Sequence, residues 1–340
     1  MKKKQVLGVF VACLILIVTG IIGMSSSLYM DRVREESKDQ AVKRIESIVG
    51  ESKENITLPT GDFIGQLDIV GTIQSESGVP NSVNTGKTYK HDYYLKFIEE
   101  MENADNNKGI FLYVNSPGGT VYESDEMYLK LMEYKEKTGR PVYAYFANEA
   151  CSGAYYISMA ADKIYANRNC WTGSIGVIIS LMNYEGLMKK LGVTENDITS
   201  GENKTIGSAA HAMTPKQEKI LQSLVDEAYE QFTGIVSEGR DMKIDRVKKL
   251  ADGRIYSASQ AKKYGLVDEI MLLDEAKDVI SSSLGEGEIA FYAPRQNNII
   301  QNYFFQFMNN YKFFGQKSDI QAAREMMEND ESGVLMYYAK

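Results

Sequence analysis

Peptide-bond or ester chemistry by a side-chain nucleophile needs an activated oxygen or sulfur, a base, and donors for the charge that develops. The first candidate here is Ser152 in "NEACSGAYYIS" (148–158), where a strand-like run meets a helix-like run and Gly153 comes directly after. A hydroxyl in that place can point into a cleft, and a helix N-terminus favours developing negative charge. A plain serine N-cap has the same local appearance. The second candidate is "FLYVNSPGGTVYES" (111–124), in which an aromatic and β-branched strand runs straight into Asn-Ser-Pro-Gly-Gly. A turn needs only one glycine or proline. The pair Gly118 and Gly119 suggests a backbone that something approaches closely, with N–H groups facing outward. An ordinary strand-to-helix turn is the alternative.

The base is harder to find. The chain has only two histidines, His91 and His211. Spacing permits a Ser-His-Asp triad, since triads recur in any chain order, but no acidic residue stands beside either histidine in a buried context. The other available base is a lysine whose pKa falls by desolvation. Lys130, Lys135, Lys216 and Lys262 sit on polar helix faces. Lys204 differs: in "TSGENKTIGSAAH" it stands among Gly201, Thr205, Gly207 and Ser208, in a loop between two folded elements. Such a loop can deliver an amine into a cleft or simply carry a surface lysine. Cys151, directly before Ser152, is the other nucleophile to weigh. Adjacent side chains at a helix start point in different directions, so only one of the two can face a cleft. Cys151 and Cys170 read as small buried thiols, although a disulfide between them is open.

These residues need a frame. "FIGQLDIVGTI" (63–73), "KGIFLYVNS", "RPVYAYFA", "KIYAN" and "GSIGVII" read as strands. "DYYLKFIEEMENADN", "VYESDEMYLKLMEYKEK" and "SGAYYISMAA" read as helices between them. The alternation predicts an α/β core with a largely parallel sheet. Farther on, "TPKQEKILQSLVDEAYEQFTGIVSEGR" is a long helix with Thr214 as N-cap and Pro215 at its first position, and Ser257 caps a shorter one.

Length and charge set the outer bounds. The chain has 340 residues and a net charge of −8, which gives no case for nucleic-acid binding. No phosphate-cradling glycine loop and no HExxH zinc motif occur. From Val6 to Met24 runs an uncharged stretch behind three lysines, long enough to cross about 30 Å of hydrocarbon. The positive-inside rule keeps its N-terminus cytoplasmic and sends the remainder outside. Small residues at "MSSS" leave cleavage as a secretory signal open. The segment after it has apolar residues at helical spacing, and the tail from about Asn297 is aromatic and amide-rich, ending in the apolar "GVLMYYAK".

The ordered set "VNSPGGTV", "CSGAYYIS", "TGSIGV", "SGENKTIGS", "MTPKQEKILQSLVDEAYEQF" and "DGRIYSASQAKKYGLVDEI" resembles the bacterial signal peptide peptidase A family over roughly residues 60–290. It is also similar to the wider Clp protease and crotonase superfamily, whose cores repeat strand–strand–helix units. The resemblance implies a membrane serine peptidase without cofactor or metal, acting on signal peptides and other apolar peptides. It implies a Ser/Lys dyad with Ser152 as nucleophile and Lys204 as general base, and Ser174 holding the lysine amine. The oxyanion hole would come from the N–H of Gly119, with Gly118 and Ser152's own N–H. Clp peptidases carry a histidine soon after the serine, and this chain has none between Ser152 and Lys204. Cys151 departs from the small residue expected there.

The implied organisation is a cytoplasmic N-terminus (1–4), a transmembrane anchor (5–24), an amphipathic helical linker (25–57), a peptidase domain (58–295) and a C-terminal tail (296–340). The location is the bacterial cell membrane, single-pass, with the catalytic domain extracytoplasmic. With a single catalytic half, homo-oligomeric rings, octameric by resemblance, are implied, and a neighbouring copy is expected to complete the dyad's surroundings. From composition, the tail is expected in the enzyme's own groove or a neighbour's; interfacial membrane contact or simple disorder is the alternative. The rival functions are a membrane Ser/Lys protease for specific membrane proteins and a non-catalytic membrane scaffold.

Overall fold

The computed structural model describes residues 56–75, 89–285 and 287–294, and the backbone of 336–338. The chain divides into two compact units, and every described residue belongs to one of them, Ile56–Gln296 with Phe314–Lys340. The expected anchor (5–24), the linker up to Asn55 and most of the tail lie outside the described residues. Among the described residues, no helix is long and apolar enough to cross a membrane.

The frame is a mixed α/β sheet of eight strands. Its centre is β1 (Phe63–Val70), β2 (Asn107–Ser116) and β4 (Val142–Cys151), all parallel, with β3 (Gly118–Thr120) continuing from the end of β2. Along its outer side β4 pairs first with β5 (Lys163–Ala166) and then with β6 (Trp171–Gly173). The antiparallel β7 (Ile255–Ser257) lies beyond β6, β8 (Glu269–Ile270) beyond β5, and β9 (Ala290–Tyr292) beyond β1. The near-continuous apolar runs of β1, β2 and β4 reflect this arrangement, because helices cover both faces of a parallel sheet.

One face is covered by α1 (His91–Glu102), α2 (Val121–Thr138), α3 (Gly153–Ile157) and, after α4 (Glu185–Leu191), the long α5 (Pro215–Gly239). Phe97, Met127, Leu131, Tyr155 and Phe232 from these helices fill the main core with Leu67, Leu112 and Phe146. After α6 (Ile244–Leu250) and α7 (Ala258–Tyr264), α8 (Leu273–Leu284) covers the opposite face, where Ala276 and Ile280 pack on Ile64, Phe111 and Tyr145.

The two predicted helix caps form as expected. Thr214 and Ser257 each make a reciprocal capping box, with Gln217 and Gln260. One expectation fails. "GSIGVII" is not a strand: β6 ends at Gly173, and 174–177 are irregular. Gly173 and Ser174 both have positive φ, 90° and 49°, which breaks an extended chain, and the Ser174 N–H turns to the carbonyl of Arg254.

Candidate active site

The parallel strands β2 and β4 end side by side, Ser116 opposite Ala150. The loops that leave the two strands therefore meet at the carboxyl edge of the sheet, where ligands of open α/β sheets bind. β2 leads to the Gly118–Gly119 pair and β4 to Ser152. On the far side of β4, Cys151 pairs with Gly173, which brings Ser174 to the same edge.

Ser152 has φ 53° and ψ −119°, a conformation that non-glycine residues rarely take. Of the three non-glycine residues with positive φ among the described residues, Ser152 and Ser174 are two. Strain of this kind persists only where surrounding structure enforces it. The enforcing bonds are the Ser152 N–H to the Gly173 carbonyl (2.8 Å) and the Tyr156 N–H to the Ser152 carbonyl (2.9 Å). The hydroxyl itself is buried and has no hydrogen-bond partner among the described residues. A buried polar group left unmatched costs about 1–3 kcal/mol.

The strand β3 has two edges. On one, the Ile73 N–H donates to the Gly118 carbonyl (2.9 Å) and the Thr120 N–H donates to the Ile73 carbonyl (2.8 Å). Those bonds use Gly118 and Thr120, so the N–H and C=O of Gly119 face the other edge. Along that edge runs a short strand, β10 (Met336–Tyr338), antiparallel, with Tyr337 opposite Gly119. The glycine at 119 is required on the first edge: a Cβ there would overlap the Ile73 carbonyl. Gly118 is required by its φ of 112°. Gly119→Ala is therefore expected to lower kcat/KM about 100-fold, the scale of a lost oxyanion donor. Its thermal midpoint should fall as well. Peptide hydrolysis and a thermal melt check both.

Two of the N–H groups expected as oxyanion donors have other acceptors. The N–H of Ser152 is spent on Gly173, and the N–H of Gly118 on the hydroxyl of Ser116 (3.1 Å). Gly119 presents its N–H on the edge where β10 lies. The N–H of Gly153, the first residue of α3, was not singled out in the sequence and has no intrahelical acceptor. Its signal was its place directly after Ser152 at a helix start.

Lys204 is exposed in a turn-rich loop, its N–H bonded to the Gly201 carbonyl (3.1 Å). Lys216 pairs with Glu202, and the Gln217 side chain donates to the Glu202 carbonyl, which ties this loop to the start of α5. Within one chain Lys204 does not reach the Ser152 hydroxyl, which has no partner. Ser174 is buried beside Ser152's strand, and Lys204 is not bonded to it.

Both histidines have carboxylate partners, and for buried His91 this departs from the sequence expectation. Buried His91 uses both ring nitrogens, on Tyr89 (2.6 Å) and Glu126 (2.7 Å). Half-buried His211 meets Asp197 at 3.2 Å. Neither touches Ser152. Cys151 and Cys170 are free and buried, and burial pushes both thiols up to about 12. A thiol at that value is protonated at neutral pH and inert. Cys151→Ala should keep kcat within about twofold of wild type, since it removes only a small inert group. Thiol reagents at pH 7 should leave peptide hydrolysis intact.

Comparison with known proteins agrees with this geometry. The family described as Peptidase family S49 matches residues 134–285. A protein of Enterococcus faecium described as signal peptide peptidase SppA is 38% identical over 283 residues, covering 82% of this chain and 80% of its own. A Methanocaldococcus jannaschii protein described as a protease is 36% identical, covering 72% of this chain and 79% of its own. Protease 4 of Haemophilus influenzae is 33% identical over 63% of this chain, which matches 33% of that longer protein. With an α/β sheet that presents a strained, buried serine at its carboxyl edge, the chain is a serine-type peptidase and belongs to the signal peptide peptidase A family.

Proposed function

We propose that this chain is a membrane-bound serine endopeptidase that cleaves signal peptides and other apolar peptides, with Ser152 as nucleophile and Lys204 as general base. The observation that carries the reading is the unpartnered Ser152 hydroxyl, buried at positive φ, beside a glycine strand whose open edge takes an extended peptide. The Lys204 amine takes the Ser152 proton as Oγ attacks the peptide carbonyl. The N–H groups of Gly119 and Gly153 receive the oxyanion. The lysine then gives its proton to the leaving amine, and water releases the acyl group. Ser174, at the same sheet edge, orients the amine in this reading.

Lys204 lies on an arm that one chain leaves uncovered: Ile178, Met182, Leu187, Leu191, Ile198 and Leu224 are all exposed. Apolar exposure of this extent fits a protein interface. A second copy of the chain is the occupant we assign to it, with Lys204 of one copy meeting Ser152 of the next in a closed ring, octameric by family resemblance. The Clp/crotonase-like repeat supplies the rigid body, and residues 5–24 anchor it with the peptidase domain outside the cell membrane. The tail strand β10 occupies the substrate edge as a product-like segment of the chain itself.

An exposed Lys204 would also suit a non-catalytic scaffold, but a scaffold has no use for a strained, unpartnered serine. The discriminating experiment labels the purified full-length protein with a fluorophosphonate and tracks hydrolysis of a synthetic signal peptide. Labelling confined to Ser152, absent from Ser152→Ala, supports the peptidase. A folded, assembled wild type that neither labels nor hydrolyses returns the scaffold.

A further inference from the structure

Three elements of the proposed site each lead into a helix, and the three helices meet at one point away from the reacting atoms. The glycine strand β3 runs into α2, Ser152 runs into α3, and the Lys204 loop is tied to the start of α5. Asp125 of α2 accepts hydrogen bonds from the Tyr156 hydroxyl of α3 (2.6 Å) and from the Gln231 side chain of α5 (3.0 Å). Gln231 also donates to the Tyr156 oxygen (2.7 Å). The phenol thus gives its proton to the carboxylate and receives one from the amide, which fixes its orientation. The Tyr156 ring is held between the same helices, against Tyr128 of α2 (ring centroids 5.6 Å apart) and Phe232 of α5 (5.1 Å).

We infer that Asp125, Tyr156 and Gln231 form a positioning triad that holds the nucleophile in register with the oxyanion strand and aims the helix carrying the lysine loop. This rests on the Ser/Lys reading above. The mechanical link is short. The backbone N–H of Tyr156 donates to the carbonyl of Ser152, one helical turn away, so a shift of the phenol rotates α3 and with it the Ser152 backbone. Asp125 stands in the first turns of α2, and the Ser124 hydroxyl ties that helix back to the Thr120 carbonyl (2.7 Å), at the end of β3. On the third arm, Gln231 stands 16 residues beyond Pro215, so α5 is a rod of about 24 Å between the triad and the lysine loop. A small tilt at the triad becomes a larger displacement at the loop. None of the three side chains touches substrate in this arrangement; they act through Ser152, Gly119 and Lys204.

The core-packing role of the Tyr156 ring and the positioning role of its hydroxyl separate experimentally. In the full-length protein, Tyr156→Phe keeps the ring contacts and removes both bonds of the hydroxyl. It is expected to lower kcat for a synthetic signal peptide by about 10- to 100-fold, the scale on which misplacement of reacting groups by an ångström acts. KM stays within about twofold, since uniform substrate binding is untouched. The rate of fluorophosphonate labelling of Ser152 falls in parallel. Gln231→Ala, at an exposed position that tolerates truncation, moves kcat in the same direction. Asp125→Asn, whose amide oxygen still accepts both bonds, retains near wild-type kcat, whereas Asp125→Ala matches Tyr156→Phe.

A wild-type kcat in Tyr156→Phe, or a lowered thermal midpoint with kcat unchanged, overturns the inference and leaves a purely structural contact. Equal losses in Asp125→Asn and Asp125→Ala also overturn it, because the accepting oxygen would then not be what matters. An active Ser152→Ala would remove the Ser/Lys reading and this inference together. An inactive Ser152→Ala beside a fully active Tyr156→Phe removes this inference alone.

Discussion

Ser152→Ala and Lys204→Ala, each assayed as a folded full-length protein, are expected to lose hydrolysis of a synthetic signal peptide by about 10⁴-fold or more in kcat. That is the scale on which removal of either member of a nucleophile–base pair acts. Fluorophosphonate labelling is lost with Ser152 and slowed with Lys204. The more informative result comes from mixing. One chain holds its Ser152 hydroxyl buried and unpartnered while its Lys204 is exposed on an uncovered apolar arm. If the lysine crosses to the next copy, subunits of Ser152→Ala and Lys204→Ala that are dissociated and reassembled together make sites with both groups intact. Random assembly of a closed heterologous ring restores about a quarter of wild-type activity. If the dyad forms within one chain, the mixture stays inactive, since every chain lacks one member. Full activity in Lys204→Ala would sink the dyad altogether.

Deleting residues 336–340 is expected to raise kcat/KM for the same peptide about tenfold. The strand β10 lies along the edge of β3 where Gly119 presents its N–H and C=O, so substrate must displace it. A tethered segment acts at an effective concentration on the order of millimolar, well above that of peptide in an assay. The register goes further. With Tyr337 opposite Gly119, the carbonyl of residue 337 is the one offered to the Gly119 N–H, which is where a scissile carbonyl belongs. Wild-type protein is therefore expected to lose the residues after Tyr337 over time, and Ser152→Ala to keep them, as read by intact-mass spectrometry. Identical, complete C-termini in both proteins, with unchanged kcat/KM on deletion, would remove the tail from the groove.

Features decided within a few residues were legible in the sequence. Ser152 at a strand-to-helix junction, the paired glycines after β2, the Thr214 and Ser257 caps and the apolar periods of α1 and α2 all rest on backbone propensity, burial pattern and nearest hydrogen bonds. Alternating strands and helices in turn dictated a parallel α/β sheet, and such a sheet brings the ends of β2 and β4 to one edge.

What tertiary structure decided was the use of each backbone group and each partner brought from afar. Gly119 read as a place for substrate to approach, but it is the Ile73 carbonyl that forbids a side chain there. Gly118 and Ser152 read as oxyanion donors, yet Ser116 and Gly173 take their N–H groups. Glu126 reaches His91 from the next helix, and Asp125, Tyr156 and Gln231 meet from three helices. No local pattern encodes such meetings, because a hydrogen bond is satisfied by whichever group the packed chain delivers, however distant in sequence. The placement of Lys204 belongs to the same class. Its loop was recognisable by composition, but its exposure beside an uncovered apolar arm was not.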